Sequence, residues 1–494
     1  MSNQINFLLN QALFYINSSN FSGAELLLKQ IIKVRPNHSE ALRLSAVISA
    51  QEGHKDLALE MIEKAILADK RNGIAYSNRG NIQLSLGMLS EAISSYGVAI
   101  KLTPSYAEAY SNLGNAYLEL GESIKAIDLY KKAISIDQNN PDFFCNLGNA
   151  LWRLDQLHEA KNNYETALSL APGHINSQLN LAHLNLLDLN FRDGWRLYEA
   201  RWQSLDDDRP SPLKTSKPFW DGKPKDGFLL IWGEQGIGDQ ILYASMLTNF
   251  QEYPQTKIIA VDKKLVPIFQ RSFPSFNVID KNLPISEDTY DEWLPMGSLG
   301  RFFRNEIVDF KSMKFPYLRI NKQFQNGHDE IKKHKNSIIC GVTWKGNHSK
   351  FNNRKSVTLH ALTPILTLKN VDFISLQNGD ISEEVALIEQ KCGAVIKAIN
   401  GIDIFDDIDA LSTIIESCDL VITTSNSVAH LAGALGKETL LLLSCGNSRF
   451  WYWQDVAGCS LWYPSVKIFK QSSPGDWIMP IQNVKTYLEN RVAI

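Results

Sequence analysis

The feature that most limits how this chain can fold is a 34-residue period in its first 200 residues. Pro36, Pro104 and Pro172 are spaced by 68, twice that period. Small residues keep one phase at Ala24, Ala58, Ala92, Ala126 and Ala160, and a second at Ala65, Ala99, Ala133 and Ala167. Tyr96, Tyr130, Tyr164 and Tyr198 hold another phase, and Gly80, Gly114 and Gly148 one more. Several residue classes held in one register predict stacked helix–turn–helix units. Alanines let two helices approach closely, and large residues fill the gap beside them. The register starts at residues 5, 39, 73, 107, 141 and 175. Its first two units are weaker, with Lys70 where a proline would fall, as expected of units that cap a stack.

This is the tetratricopeptide (TPR) signature, and it predicts an α-solenoid over residues 1–204. The sixth position of each unit reads Asn10, Leu44, Asn78, Asn112, Asn146 and Asn180. Asparagine is a poor helix former, so five uses in six need a reason. One reading is a row of amides facing the groove, with Asn78, Asn112, Asn146 and Asn180 bonding the backbone of an extended peptide. A second is a structural bond between neighbouring repeats, and a third is inheritance from one copied unit. The segments S-N-L-G-N-A-Y (111–117) and C-N-L-G-N-A-L (145–151) resemble the repeats of protein O-GlcNAc transferases. In those enzymes such a ladder holds the acceptor protein.

Length and charge set outer bounds. A chain of 494 residues suggests about three domains. Lys plus Arg is 50 and Asp plus Glu 53, giving a net charge of -3, which argues against a dedicated nucleic-acid binder. The longest aliphatic run, 440–443, is far short of the ~20 residues of a membrane span. No basic region precedes an apolar stretch at the N-terminus, so a cytoplasmic location is expected. The six cysteines lie far apart without a C-x-x-C pair, so neither a zinc site nor a disulfide framework is expected.

Residues 205–225 carry four prolines and many charges and read as a linker. Beyond it the period is gone. Short apolar runs at 228–232, 257–261, 337–344, 373–376, 420–424 and 438–443 alternate with helix-length segments. Such alternation predicts parallel sheets flanked by helices. Two groups of strands lie on either side of a charged stretch, 321–336. They predict two Rossmann-like lobes, 226–322 and 336–494, facing each other over a cleft. The expected fold class is α+α/β.

The first strand runs into G-E-Q-G-I-G-D-Q and then a helical pattern. A phosphate-cradling role fits this turn poorly. The third glycine of the dinucleotide fingerprint is missing, and Asp239 and Glu234 would repel phosphate. A carboxylate at the end of a first strand lies where open α/β sheets place their chemistry, and Asp239 there suits a general base toward a hydroxyl. The alternative for Asp239 is a plain N-cap. Glu234 reads as a positioning or structural residue. At this point G-E-Q-G-I-G-D-Q-I-L-Y-A-S is similar to the start of the heptosyltransferase-like domain, related to glycosyltransferase family 9. That domain is fused to TPR repeats in many bacterial proteins, flagellin glycosyltransferases among them. The resemblance covers about 226–485. It implies a GT-B fold, inverting transfer without a metal, and Asp239 as the matching catalytic aspartate.

The second group of strands carries two further candidates. K-G-N-H-S-K-F-N-N-R-K-S (345–356) is basic, either a solvated loop or one that neutralises a donor phosphate. The resemblance points to Lys345 and Arg354. D-L-V-I-T-T-S-N-S-V-A-H-L-A-G-A-L-G (419–436) is a strand, a polar turn and a helix of small residues. Ser425, Asn426 and Ser427 suit its N-cap, and the helix N-terminus offers N–H groups and a positive dipole to an anion. In the similar family this is the donor pyrophosphate motif. His430 is either near the phosphates or a packing histidine. Gln377, after another strand, either reads the nucleoside or is a loop residue. The tryptophan-rich C-terminal segments, 450–453, 461–464 and 476–477, read mainly as packing.

Together these motifs predict a glycosyltransferase moving a sugar from a nucleotide-sugar to Ser or Thr hydroxyls of a protein held by the TPR groove, flagellin being one such acceptor in the similar family. The nucleotide-sugar is a substrate, and no cofactor or metal is expected. Two rivals remain at this stage: a heptosyltransferase-like enzyme acting on a glycan or lipopolysaccharide, and an inactive TPR scaffold.

Overall fold

The computed structural model describes residues 2–204, 210, 212–321, 337–346, 352–399 and 403–492. Part of the expected linker, most of the stretch 321–336 and Lys350 of the basic loop lie outside the described residues. By contact the chain divides into two compact units, Met1–Trp152 with His158–His174, and Arg153–Leu157 with Ile175–Ile494.

Among the described residues, twelve helices form the N-terminal solenoid: α1 (Ser2–Asn17), α2 (Phe21–Val34), α3 (Ser39–Gln51), α4 (Lys55–Ala68), α5 (Gly73–Ser85), α6 (Leu89–Leu102), α7 (Ala107–Glu119), α8 (Ser123–Ile136), α9 (Pro141–Arg153), α10 (Leu157–Leu170), α11 (Ile175–Leu187) and α12 (Phe191–Tyr198). The repeated residues explain the pairing. Both alanine phases are fully buried from Ala24 to Ala167, so each helix pair closes on methyl groups. Tyr96, Tyr130 and Tyr164 are fully buried as well, and each ring lies on a glycine of the partner helix. A Cβ on Gly80, Gly114 or Gly148 would come within 2.5, 2.7 or 2.6 Å of that ring, so any larger residue would force the ring to shift. Each hydroxyl then donates to an asparagine on the same helix as the glycine: Tyr96 to Asn81, Tyr130 to Asn115 and Tyr164 to Asn149, at 2.7, 2.7 and 2.8 Å. A buried phenol left without an acceptor would cost about 1–3 kcal/mol, so glycine, asparagine and tyrosine recur as a set.

The second unit takes in Arg153–Leu157 and the last helix pair from Ile175 as well as the sheets. The last helix pair keeps the repeat spacing but packs with the sheets. Trp195 is the reason. Its ring is 1% exposed, its indole N–H donates to the Arg304 carbonyl at 2.7 Å, and it meets Trp451 edge-on at 5.1 Å.

Two sheets follow. The first has strands β1 (Phe228–Trp232), β2 (Thr256–Val261), β3 (Asn277–Asp280) and β4 (Glu292–Pro295), all parallel, in the order β3-β2-β1-β4. The second has β5 (Ile338–Val342), β6 (Val371–Ser375), β7 (Ile396–Lys397), β8 (Leu420–Thr424), β9 (Thr439–Leu443), β10 (Asp455–Val456), β11 (Cys459–Ser460) and β12 (Val466–Lys470). Its order is β10-β11-β12-β9-β8-β5-β6-β7. The six strands from β12 to β7 are parallel in the doubly wound order. In such sheets the crevice opens beyond the strand ends where the winding reverses. Here that is the end of β1 in one lobe and the ends of β5 and β8 in the other.

Candidate functional site

The turn after β1 enters a helix at Ile237–Ala244, capped by Gly236. Asp239 is therefore the third helical residue and not the N-cap. Its carboxylate reaches back to the Gly236 N–H, which satisfies an orphan donor of the helix start. Gly238 lies against His430: a Cβ there would come within 3.0 Å of the imidazole. That close approach joins the Asp239 helix to the helix at Ser427–Ala434 in the other lobe.

A cleft of about 470 Å³ opens between them. Its walls include Asp239, Thr343, Lys345, Lys355, Gln377, Ser425, Asn426, Ser427 and His430, with Leu376, Ile404, Phe405, Ile408 and Leu411 forming an apolar side and Phe450 and Tyr452 another. Seven of the eight catalytic and donor-site candidates thus meet in one place. Arg354 is absent from the wall; its neighbour Lys355 lines it instead. Both sit on one helical turn, Asn352–Lys355, where successive side chains point about 100° apart. Lys355 is 6% exposed, with its ammonium 3.6 Å from the centre of the Phe450 ring.

The other candidates separate into roles. Asn426 is the cap of the Ser427 helix. Its Oδ1 accepts the N–H groups of Val428 and Ala429 at 3.0 and 3.3 Å, and its Nδ2 donates to the Thr343 hydroxyl at 2.6 Å. Two of the helix donors expected to meet an anion are thereby taken. Ser427, the first helical residue, is exposed on the cleft wall. Ser425 accepts the Trp453 indole N–H at 2.8 Å. Gln377 clasps the chain after β5: its Oε1 accepts the N–H groups of Trp344 and Lys345 at 3.0 and 2.8 Å. That is loop-holding rather than base-reading chemistry. The Lys345 ammonium pairs with Glu384. His430 lies 2.9 Å from the Tyr463 hydroxyl and stacks on Trp453 at 4.9 Å. Burial, aided by the Lys355 charge, pushes it down to about 3, so it brings a neutral ring to the cleft wall. In the tryptophan-rich segments Trp451, Trp453 and Trp462 are core, at most 4% exposed, while Phe450 and Tyr452 line the cleft and Trp477 is half-buried.

Charge is concentrated on two groups. Burial, reinforced by the Glu234 charge and opposed by Lys355, pushes the Asp239 carboxyl up to about 6. Burial pulls the Lys355 ammonium down to about 8, with Asp239 opposing. Glu234 points away from the cleft. Its Oε1 accepts from Gly297 N–H at 3.0 Å and from Arg201 Nη2 at 3.3 Å. Sequence reasoning missed Lys355 and Arg201; Lys355 stood in the basic loop, while Arg201 gave no local signal.

The asparagine row resolves differently. Asn112 and Asn146 donate to Ser77 and Ser111, one repeat earlier, at 3.4 and 3.2 Å. Asn78 has Arg43 at that offset. Its Nδ2 is buried without a partner among the described residues, and it lines a cavity of about 270 Å³ with Val47, Gln51 and Ile82. For Asn112 and Asn146 the bond between neighbouring repeats is therefore the one made. Asn180 belongs to the second unit.

Two TPR repeat models match: one described as TPR repeat over residues 80–121 and 114–155, and one described as tetratricopeptide repeat over 141–174. Protein FlbA of Caulobacter vibrioides is 28% identical over 322 residues, covering 61% of this chain and 53% of FlbA. The chain thus spans about half the length of that curated relative. Among solved structures, PilF of Pseudomonas aeruginosa is 20% identical with a TM-score of 0.36, over 41% of this chain and 90% of PilF. MamA is 28% identical with a TM-score of 0.29, over 33% of this chain and 94% of MamA. Residues 80–174 are tetratricopeptide repeats, within a solenoid that is followed by an α/β region.

Proposed function

We propose that the chain is a glycosyltransferase of GT-B type. It moves a sugar from a nucleotide-sugar to a Ser or Thr hydroxyl of a protein recruited by the repeats, with inversion and without a metal. The observation that carries this reading is the cleft itself, where one carboxylate faces the capped N-terminus of the Ser427 helix and one buried ammonium. The resemblance of 233–245 to the heptosyltransferase-like domain supports it.

In this mechanism Asp239 accepts the acceptor hydroxyl proton as the oxygen attacks the anomeric carbon, and the bond to the nucleoside diphosphate breaks. Negative charge grows on the departing phosphate. The Lys355 ammonium, the Ser427 hydroxyl and N–H, and the helix dipole stabilise it. A carboxylate titrating near 6 is ionised at neutral pH yet more basic than a solvated aspartate. The apolar wall at Ile404, Phe405, Ile408 and Leu411 suits the nucleoside.

The test is a thermal-shift screen with UDP-, GDP-, ADP- and CMP-sugars in EDTA, followed by mass spectrometry of the acceptor protein. One nucleotide class should stabilise the chain, and the acceptor mass should rise by one sugar in EDTA. Stabilisation by none of the donors, or transfer that appears only after Mg²⁺ or Mn²⁺ is restored, contradicts the reading.

A further inference from the structure

The tyrosine phase that runs through the repeats has one member that behaves differently. Tyr96, Tyr130 and Tyr164 each donate to the asparagine fifteen residues earlier. For Tyr198 that position holds His183, and the glycine phase holds Ala182. The Tyr198 hydroxyl turns elsewhere: it accepts from Gln235 Nε2 at 2.6 Å and lies 3.3 Å from the Tyr243 hydroxyl. Gln235 belongs to the turn between β1 and the Asp239 helix.

Three residues on, Arg201 reaches the same turn. Its side chain is 4% exposed. Its Nη1 donates to Glu199 at 2.8 Å, and its Nη2 to Ser298 at 2.8 Å and to Glu234 at 3.3 Å. Gly297 is a glycine because of this cluster, since a Cβ there would come within 2.5 Å of Glu234 Oε1. The other oxygen of Glu234 is buried without a partner among the described residues. Burying such a carboxylate is tolerable only beside a fixed cation.

We propose that the end of the last repeat is a positioning element for the transfer site: Tyr198 and Arg201 hold Gln235 and Glu234, and so fix the turn that presents Asp239 with a second carboxyl group behind it. The proposal rests on Asp239 acting as the base of the reaction proposed above. The groups that act on Asp239 or lie beside it are Glu234 from its own turn, Lys355 from the 352–355 helix, and Tyr198, Tyr243, Tyr452 and Tyr463, with His430 of the Ser427 helix against the neighbouring Gly238. Of these Glu234 is the second carboxylate, and its charge raises Asp239. Burial pushes Glu234 up and Arg201 counters it. Burial opposes the Arg201 charge in turn, and Glu234 with Glu199 raises it above the ordinary value. Neutralising Glu234, directly or by removing Arg201, therefore lowers the pH at which Asp239 ionises.

The experiment uses the full chain with Glu234→Gln, Arg201→Met and Arg201→Lys. The ¹³C carboxyl resonance of Asp239 is followed against pH without substrates, assigned by its loss in Asp239→Asn. The pH profile of transfer is measured alongside. Wild type should titrate near 6. In Glu234→Gln and Arg201→Met the midpoint moves to lower pH, and in Arg201→Lys it returns toward wild type. A midpoint lower by about one pH unit keeps about fivefold more of the plateau rate at pH 5. A midpoint unmoved in folded Glu234→Gln overturns the proposal, since a merely structural Glu234 changes stability and not this titration. Should the carboxyl titration move while no protein transfers sugar, the positioning stands and the transfer reading falls.

Discussion

The interior repeats and the last repeat are written in one 34-residue register, and they use it for opposite purposes. In the interior, glycine, asparagine and tyrosine close on one another: Gly114 admits the Tyr130 ring, and Asn115 takes its hydroxyl proton. In the last repeat Ala182 and His183 stand in those places, and the Tyr198 hydroxyl is released to Gln235. Arg201 adds a buried cation that no interior repeat needs. A repeat can thus become part of another structure by losing the two residues that made its tyrosine self-sufficient. Trp195 adds a second tie of this repeat to the sheets, through the Arg304 carbonyl.

The sharpest way to break this contrast is at the site that the last repeat supports. Asp239→Asn keeps the side-chain shape and should slow transfer by about 10²–10⁴-fold, with nucleotide-sugar affinity retained. Its stability effect has a definite sign. A carboxyl raised to about 6 in the folded chain binds its proton more tightly than when unfolded, so it favours folding at low pH and loses that contribution as pH rises toward 6. At pH 7 Asp239→Asn should therefore melt higher, by on the order of 1 kcal/mol, as read by calorimetry. A lower melting point would mean that the Gly236 N–H bond matters more than the buried charge.

Next in size is Lys355→Met, expected to weaken nucleoside diphosphate binding tenfold to a hundredfold, the ~1.5–3 kcal/mol of a charged hydrogen bond. The same titration on Arg354→Met should show little change, because Arg354 is not on the cleft wall. Equal losses would mean that the whole basic loop, and not one buried ammonium, meets the donor.

Smaller effects test the interior repeats. Gly114→Ala places a methyl 2.7 Å from the Tyr130 ring. Overpacking should cost about 1–3 kcal/mol, against a gain of up to ~1 kcal/mol in helix propensity, so thermal unfolding should occur at lower temperature. An unchanged melting point would show that the ring gives way and that the glycine–tyrosine contact specifies little. Asn146→Ala removes one bond to Ser111 worth about 1 kcal/mol and gains most of it back in propensity, so unfolding should scarcely move.

These contrasts show where the sequence was informative. The solenoid was legible because its contacts are made at a fixed spacing, so one residue class falls on one phase. Asp239 and the segment 425–430 were legible because chemistry in wound sheets collects at strand ends, and strand ends are marked by short apolar runs. Lys355 against Arg354 was not decidable, since adjacent residues of a basic loop differ only in the side they face. Arg201 carried no local signal, and Tyr198 showed only its place in the register, because their partners lie 33 and 37 residues away. Proline and charge mark 205–225, whereas the last helix pair clusters by contact with the sheets, because composition records solvent exposure and not which surfaces touch. The row of sixth-position asparagines was visible, but its use depends on a serine 35 residues earlier, an offset one residue longer than the period.

The central claim is that Asp239 is the base in a cleft whose charge is set by two groups. The direct measurement is single-turnover transfer from bound nucleotide-sugar against pH, for wild type and Asp239→Asn. The base works ionised, so the wild-type rate should rise as pH passes about 6. Lys355 holds the phosphate while protonated, so the rate should fall as pH passes about 8, leaving a maximum near neutrality. Asp239→Asn should lie far below and lose the acidic limb while keeping the alkaline one. An acidic limb that persists in Asp239→Asn, or a rate near that of wild type, would contradict the account.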